Sequence, residues 1–235
     1  RAATATAGPS STTPGGWADS IWLLHAMFER SGVAGDGFQV GVEASRQGRR
    51  PQGGVLVGTA EGLVDTGIPL GYTHTPRESH WRRLLWREWS DRCGRTLGNQ
   101  PYAPGYSWFS DGFPANVQPP PEGSLDELTW GRLLGVLGQH SGDATAVTAY
   151  YAPAAPAGRQ DWAMFAGMLP EASDLVVGGG LDCTPGNLWP DDRSWFVYTD
   201  ADLMATKVSG SAALIAVLEG DPHLETLRWE PPAPV

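Results

Sequence analysis

Apolar residues recur at helical spacing in two segments of the N-terminal half. In the segment 17–31, Ile21, Leu24 and Phe28 lie on one stripe, and the segment 78–93 repeats this period with arginines between its apolar residues. A period of about 3.6 residues is typical of an amphipathic helix. We therefore predict a helix in each segment. The face predicted to be buried in the second helix comprises Trp81, Leu84, Leu85 and Trp89, with Trp86 partly exposed.

Alternating apolar and polar residues, which are typical of half-buried strands, occur in several short segments. A hairpin is predicted for 194–199 and 204–208, because Asp200 and Asp202 favour the turn between them. Further strands are predicted at 38–42, 55–58, 146–151, 175–177 and 224–229.

Helix-start signals mark the C-terminal half of the chain. Ser124 and Glu127 have the spacing of a capping box, in which each side chain binds the other residue's backbone N–H, and a leucine stripe follows them. We predict one helix that begins at Ser124 and two others at 161–168 and 211–218.

This order of elements predicts an α+β fold with mixed helices and a mainly antiparallel sheet, because hairpins connect several of the strands. The fold forms either one unit or two similar-sized halves packed together. Residues 1–16 are rich in Ala, Thr, Ser, Pro and Gly, which predicts a flexible tail. The proline run 119–121 is the predicted boundary between an N-terminal half at 17–118 and a C-terminal half at 119–235.

Tryptophan is unusually frequent among the aromatic residues: the 235 residues include 11 Trp, 6 Phe and 6 Tyr. Trp combines a large apolar area with an N–H that needs a partner, so it serves either in a core or at a binding surface. We expect most of these side chains to form the core. Lysine occurs once, at Lys207, although Lys and Arg together number 16; this bias is typical of a GC-rich bacterial genome.

The formal net charge of −10 disfavours binding to nucleic acid or to an anionic membrane, and it favours a basic protein partner. No apolar run reaches the roughly 18 residues that span a bilayer, and we expect a cytoplasmic protein. Arginines interleave with tryptophans in the segment 81–89, and such a face could grip an acidic partner or single-stranded nucleic acid. We expect these arginines to pair with the chain's own carboxylates instead.

Metal and cofactor signatures are missing from the sequence. Cys93 and Cys183 cannot make a four-cysteine zinc site, and we expect both thiols to be reduced. His74 and His80 lack the spacing of four that helical metal-binding pairs use. Neither a Walker A loop, a Rossmann glycine fingerprint nor a G-x-S-x-G elbow occurs. We therefore predict no metal and no cofactor, and no residue is assigned a catalytic role.

The segment 187–210 concentrates the residues that could bind a ligand. It joins an aromatic strand, turn aspartates and the lone lysine, which precedes the helix predicted at 211–218. A helix N-terminus beside a lysine can hold an anion, and aromatic side chains can form a pocket wall. Ordinary turn and capping chemistry would favour the same residues. The predicted ligand-binding residues are Trp189, Arg193, Trp195, Tyr198, Asp200, Lys207 and Ser209.

Lys207 has two predicted roles. Either its ammonium pairs with Asp200 or Asp202 across the predicted hairpin, or it faces an anion held near Ser209 and Ser211. A lysine ammonium is more compact than an arginine guanidinium, which would explain a lysine here in a chain that otherwise uses arginine.

Two functions fit these features. The first is an acidic, Trp-rich protein-binding module of the inhibitor or immunity type, which docks a basic protein. The second is a small-molecule binder or enzyme for an anionic or sugar-like ligand, with its site in the C-terminal half. A deep pocket lined by the predicted residues would favour the second function, and a flat acidic face would favour the first. Formation of a homo-oligomer stays open in both.

Overall fold

A computed structural model describes residues 16–31, 71–94, 96–98, 100–105, 108, 113, 116–151, 163–177 and 182–230. Within these residues, ten strands in two sheets and four α-helices confirm the predicted α+β class. The strands are β1 (Asp19–Leu24), β2 (Met27–Arg30), β3 (Trp81–Leu84), β4 (Val117–Gln118), β5 (Ala146–Tyr151), β6 (Ala163–Met168), β7 (Asn187–Pro190), β8 (Phe196–Tyr198), β9 (Ala205–Gly210) and β10 (Glu225–Leu227). The helices are α1 (Trp86–Arg92), α2 (Glu127–Ser141), α3 (Asp174–Val177) and α4 (Ala212–Gly220), and a 3₁₀ helix spans Leu169–Ser173.

The larger sheet has seven strands in the order β10-β1-β9-β8-β7-β5-β6, and the smaller sheet has the order β3-β2-β4. Every pair of these strands is antiparallel. β1 lies in the larger sheet and β2 in the smaller one, with His25 and Ala26 between them. A division of the chain at residues 118 and 119 would therefore cut the pairing of β1 with β9 and β10. That division stays a prediction.

The helix predicted at 17–31 is wrong, because this segment forms β1 and β2. Residues 21–28 are all buried, and β1 contributes to a different core on each of its faces. Ile21 and Leu23 face one core, whereas Trp22 and Leu24 face the other. A strand that is covered on both faces is apolar throughout, so the alternation that marks a half-buried strand is missing.

The helix predicted at 78–93 is correct for residues 86–92 and wrong for residues 81–84, which form β3. β3 pairs with β2, and Arg82 lies directly opposite Glu29 in the register, with an Nη2–Oε2 distance of 2.5 Å. Arg92 at the end of α1 also pairs with Glu29, at 2.5 Å. These arginines bind the chain's own carboxylates, as predicted.

Two further secondary-structure predictions are wrong: a predicted helix is a strand, and a predicted strand is part of a helix. Residues 161–168 were expected to be helical, but 163–168 form β6; residues 175–177 were expected to be a strand, but they belong to α3. The capping residue of α2 is Asp126, whose side chain accepts the backbone N–H of Thr129 at 2.9 Å. The strand at 146–151, the β8–β9 hairpin, α4 and β10 confirm their predictions. Residues 1–15 of the tail predicted at 1–16 lie outside the described residues, as do the strands predicted at 38–42 and 55–58.

Two hydrophobic cores lie on opposite faces of the larger sheet. The first is formed under α2 and α4 by residues such as Leu133, Leu137, Leu188 and Ile215, all of which are fully buried. The second lies against the smaller sheet and holds five tryptophans; with Trp130 and Trp195 of the first core, seven of the ten described tryptophans are core residues, as predicted. The tryptophans of the second core are Trp22, Trp86, Trp89, Trp108 and Trp229.

The corner between β1 and β2 is held by hydrogen bonds from distant segments. The imidazole of His25 is fully buried, with Nδ1 2.8 Å from Pro121 O and Nε2 2.9 Å from Thr206 Oγ1. Because a carbonyl can only accept, Nδ1 carries the proton and Nε2 accepts from the threonine hydroxyl. The indole N–H of Trp86 donates to His25 O at 2.8 Å, and Asp126 Oδ2 accepts the backbone N–H of the next residue, Ala26, at 2.7 Å.

We expect His25 to make stability depend on pH. Burial lowers its pKa from 6.5 to about 4, so between these values the unfolded chain binds a proton that the folded protein does not. The stability that comes from the neutral imidazole is fully present above pH 6.5 and is lost as the pH falls through about 4. The free energy of unfolding should fall by roughly 3 kcal/mol over this range. Urea unfolding of the wild type and of His25→Gln between pH 7 and pH 4 measures it. Equal pH slopes for the two proteins would contradict the neutral, buried imidazole.

We expect Trp86→Ala to lower the free energy of unfolding by roughly 3–5 kcal/mol, as for other large core truncations. The side chain of Trp86 is 1% exposed and its N–H is bonded, whereas Trp81 is only partly buried. Trp81→Ala is therefore the matched control, with a loss on the order of 1 kcal/mol. Chemical denaturation measures both, and an equal cost for the two substitutions would argue against this packing.

Candidate functional site

The face of the larger sheet that is turned away from α2 and α4 carries the candidate site. Side chains alternate between the two faces along a strand, and Val147, Leu188 and Val197 point into the core under the helices. Their neighbours on β5, β7 and β8 therefore line the opposite face. Two rows of side chains cross this face: Thr148, Trp189, Phe196 and Ser209 form one row, and Tyr150, Asn187, Tyr198, Lys207 and Trp22 form the other.

Three aromatic rings and one guanidinium are stacked on this face, and we call Trp17, Phe196, Trp189 and Arg193 the aromatic ladder. The ring centroids of Trp17 and Phe196 are 5.5 Å apart with 23° between the planes, and those of Phe196 and Trp189 are 5.9 Å apart with 24°. The guanidinium carbon of Arg193 lies 4.8 Å from the Trp189 centroid. Both stacking and cation–π contacts are attractive at these distances. The three rings are partly buried and Arg193 is exposed, so the ladder presents a preformed surface.

The turn between β7 and β8 holds Arg193 in the left-handed region of backbone space. Its φ is 58°, which residues other than glycine rarely adopt, and its N–H donates to Pro190 O at 3.0 Å. Its carbonyl accepts the indole N–H of Trp17 at 3.0 Å. The same residue thus supplies a cation to one end of the ladder and an acceptor to the other. Strained backbone of this kind clusters at functional sites.

Tyr198 and Asp200 contact each other at the opposite end of β8. The phenol donates to Asp200 Oδ2 at 2.8 Å. Burial, followed by this hydrogen bond to a carboxylate, raises the pKa of Tyr198, so the phenol stays protonated at neutral pH. Asp200 Oδ1 also accepts the backbone N–H of Asp202 at 3.2 Å, which is turn chemistry.

Lys207 lies at the boundary between this face and the second core. It is 5% exposed, and its Nζ is 5.7 Å from the ring centroid of Trp22. Burial lowers the pKa of Lys207, and the charge of Glu230 opposes that shift. Among the ion pairs within the described residues, none joins Lys207 to Asp200 or Asp202, the partners predicted across the hairpin.

The structure separates two other predicted residues from the exposed surface. Trp195 is fully buried on the helix side of the sheet, where its indole N–H donates to Ser141 Oγ at 2.8 Å. Ser209 is 2% exposed, and Ser211 rather than Ser209 caps α4 by accepting the N–H of Leu214 at 3.2 Å. Of the seven predicted residues, those that share the accessible part of the face are Trp189, Arg193, Tyr198 and Asp200.

Two members of the aromatic ladder were not predicted from the sequence. Phe196 had a usable signal, because in the strand 196–198 the buried Val197 requires its neighbours to point to the other face. Trp17 had none, since its contact with Arg193 spans 176 residues. The face also continues onto the outer strand, where Met164 lies opposite Tyr150.

Aspartates lie in the turns at both ends of β8. The segment 187–202 contains four aspartates and one arginine, a net charge of −3. Asp191 and Asp192 are exposed in the turn after Trp189, and Asp202 is exposed in the turn after β8. Asp192 Oδ1 accepts the backbone N–H of Ser194 at 2.9 Å, and this hydrogen bond lowers the pKa of Asp192. The rim of the face is therefore negatively charged at neutral pH.

An open cleft of about 550 Å³ borders the Trp17 end of the ladder. It reaches Arg193 but not Trp189, Tyr198 or Lys207, so most of the residues predicted as a ligand-binding set do not line it. The cleft is lined by Gly16, Trp17, Ala18, Arg193, Ser194, Gly210 and Ser211.

The described residues contain no group of three or more His, Cys, Asp or Glu side chains arranged to hold a metal ion. His74 instead lies 3.6 Å from the carboxylate of Glu127. Cys93 is exposed, Cys183 is buried, and no disulfide joins them, as predicted. None of the helices in the described part of the chain combines the length and the apolar character needed to cross a membrane.

Comparison with known proteins assigns no relative to this chain. No family model matches the sequence, and no curated protein or solved structure is significantly similar to it. The function therefore has to follow from the geometry of the face and its chemistry.

We expect Arg193→Gly to be more stable than Arg193→Ala by about 1 kcal/mol, the cost of a left-handed backbone for a residue with a Cβ. Both substitutions remove the cation–π contact with Trp189 and keep the carbonyl that Trp17 donates to, so the comparison isolates the strain at φ 58°. Thermal and urea unfolding of the two variants measure the difference. Equal stabilities would show that the turn relaxes.

Proposed function

We propose that the protein is a binding module for another protein, of the inhibitor or immunity type, and that the aromatic ladder is its docking surface. One observation carries the proposal: three stacked rings lie partly exposed on an ordered sheet face instead of inside a core. Exposed apolar area costs about 25 cal/mol per Å² relative to burial, so covering these rings would be favourable. Trp, Tyr and Arg, which form this face, are the residue types enriched at interface hot spots.

The charge around the ladder favours a basic partner. The aspartates in the turns at both ends of β8 form an acidic rim around an apolar centre, which is the usual anatomy of a protein interface. The net charge of −10 extends the attraction beyond the contact area and would speed association with a cationic protein. We place this activity in the cytoplasm, where both thiols would stay reduced.

The breadth of the face also favours a macromolecular partner. The side chains of Met164 and Met168 are 54% and 37% exposed and extend the surface across Tyr150 to the outer strand. Methionine adapts its shape to a partner at little cost, which suits a large contact area.

Trp189→Ala tests this function because it removes the central indole of the ladder without touching either core. Immobilised wild type, Trp189→Ala and Tyr102→Ala are compared in lysate of the native host; Tyr102 is 67% exposed and outside the ladder, so it is the matched control. We expect a basic protein that wild type and the control retain and Trp189→Ala loses. With the purified partner, the affinity should fall about 10- to 100-fold in Trp189→Ala, and added salt should weaken the wild-type complex. Retention of the same proteins by all three baits would contradict the proposal.

A second candidate function is the binding of an anionic or sugar-like small molecule in the cleft beside Trp17. The cleft of about 550 Å³ has the volume of ordinary ligand pockets, and it combines an indole, a guanidinium and two serines. A thermal-shift screen against phosphorylated metabolites and sugars tests it. A stabilising ligand whose effect is lost in Trp17→Ala, but kept in Tyr102→Ala, would support this function, and the absence of any such ligand would count against it.

A further inference from the structure

In the described part of the chain, β6 is the outer strand of the larger sheet and lacks the usual protection of a sheet edge. Its sequence from Ala163 to Met168 contains neither charge nor proline, and the side chains of Met164, Phe165 and Met168 are 54%, 38% and 37% exposed. Within the described residues, β5 is the one strand that pairs with it. Exposed edges normally carry lysine, proline or a bulge, because their unpaired backbone groups invite another strand.

The hydrogen-bond pattern identifies which backbone groups of β6 point outward. Leu169 N donates to Thr145 O at 2.9 Å, so this opposed pair is a hydrogen-bonded one. Opposed residues alternate between bonded and non-bonded pairs in an antiparallel ladder. Met164, Ala166 and Met168 therefore direct their N–H and C=O groups away from β5. The N–H of Met168 is already taken by Glu171 Oε2 at 2.8 Å, which leaves Met164 and Ala166 with outward donors.

We propose that this edge binds β6 of a second copy of the chain, so that the two larger sheets join into one. An added strand must be uncharged and apolar on both faces, because Phe165 and the two methionines are exposed on opposite faces of β6. β6 itself has this character. A two-fold axis at Phe165 places Met164 opposite Ala166 of the second copy, and the two outward residues of each chain then form four reciprocal hydrogen bonds. Phe165 faces its own symmetry mate.

The Glu171 carboxylate selects this register over the neighbouring one. An axis at Ala166 would require the N–H of Met168, which Glu171 already occupies, whereas an axis at Phe165 leaves that hydrogen bond intact. In the Phe165 register the two Glu171 side chains lie far apart, so like charges do not oppose each other. The pairing is short, and the dimer is correspondingly weak and concentration-dependent.

Engineered cysteines test the register directly, in a Cys93→Ser background that removes the exposed native thiol. Phe165 and its mate form a non-bonded pair about 4.5 Å apart between Cα atoms, so Phe165→Cys should give a disulfide-linked dimer on mild oxidation. Met164→Cys is the matched control: its mate is offset by two residues, roughly 8 Å between Cα atoms, beyond the reach of a disulfide. Equal cross-linking of both variants, or of neither, would overturn the proposed register.

Sedimentation of the purified full chain over a concentration series tests the dimer itself, without any other partner. Ala166→Pro removes one outward N–H, which an edge strand tolerates, and should raise the dimer dissociation constant by about tenfold or more. Met164→Lys places a charge on the same edge and should also raise the dimer dissociation constant. It replaces the proline variant in the test if that variant unfolds. Glu171→Gln should retain the dimer. A wild type that stays monomeric up to millimolar concentration, or dimers unaffected by both edge variants, would overturn the inference.

Discussion

The fold depends on the buried corner at His25 and Ala26, where the chain leaves one sheet and enters the other. The polar groups at this corner are bonded by Pro121 and Asp126 from the connection between β4 and α2, and by Thr206 of β9. Loss of one partner would leave a buried group unsatisfied, at about 1–3 kcal/mol, which exceeds the net value of most surface contacts. The corner therefore fixes how the smaller sheet sits against the larger one.

This geometry also explains why the candidate site exists. The smaller sheet and its tryptophans cover the side of the larger sheet that contains β1, where Trp22 lies in the second core. The part of the sheet that the second core covers ends at Lys207. This side chain is buried, and its ammonium lies near the indole of Trp22. Beyond it, the same row of side chains continues through Tyr198 to Tyr150 and becomes partly exposed. The aromatic ladder occupies the part of the face that the second core does not reach.

Local sequence signals predicted β5, β8, β9 and β10 but took β6 for a helix, and they predicted the N-terminal elements poorly, for a physical reason. In β5 the alternation of residues 146–151 reports one buried and one exposed face. In β1 both faces are buried, so alternation is lost and a helical stripe remains by coincidence. Local signals likewise predicted only part of the candidate site. Trp189 and Arg193 were predicted because they flank a turn, whereas Trp17 joins them through a contact that no local pattern encodes.

Three departures from the usual rules of stability lie on the same half of the larger sheet. A stability-driven sequence would place glycine at Arg193, polar side chains at Trp189 and Phe196, and a charged residue in β6. Each departure alone has a modest cost. Of the five large apolar side chains that are most exposed among the described residues, Met164, Phe165 and Met168 lie on β6, and only Tyr102 and Val217 lie elsewhere. This concentration supports the proposal that this half of the sheet contacts other molecules.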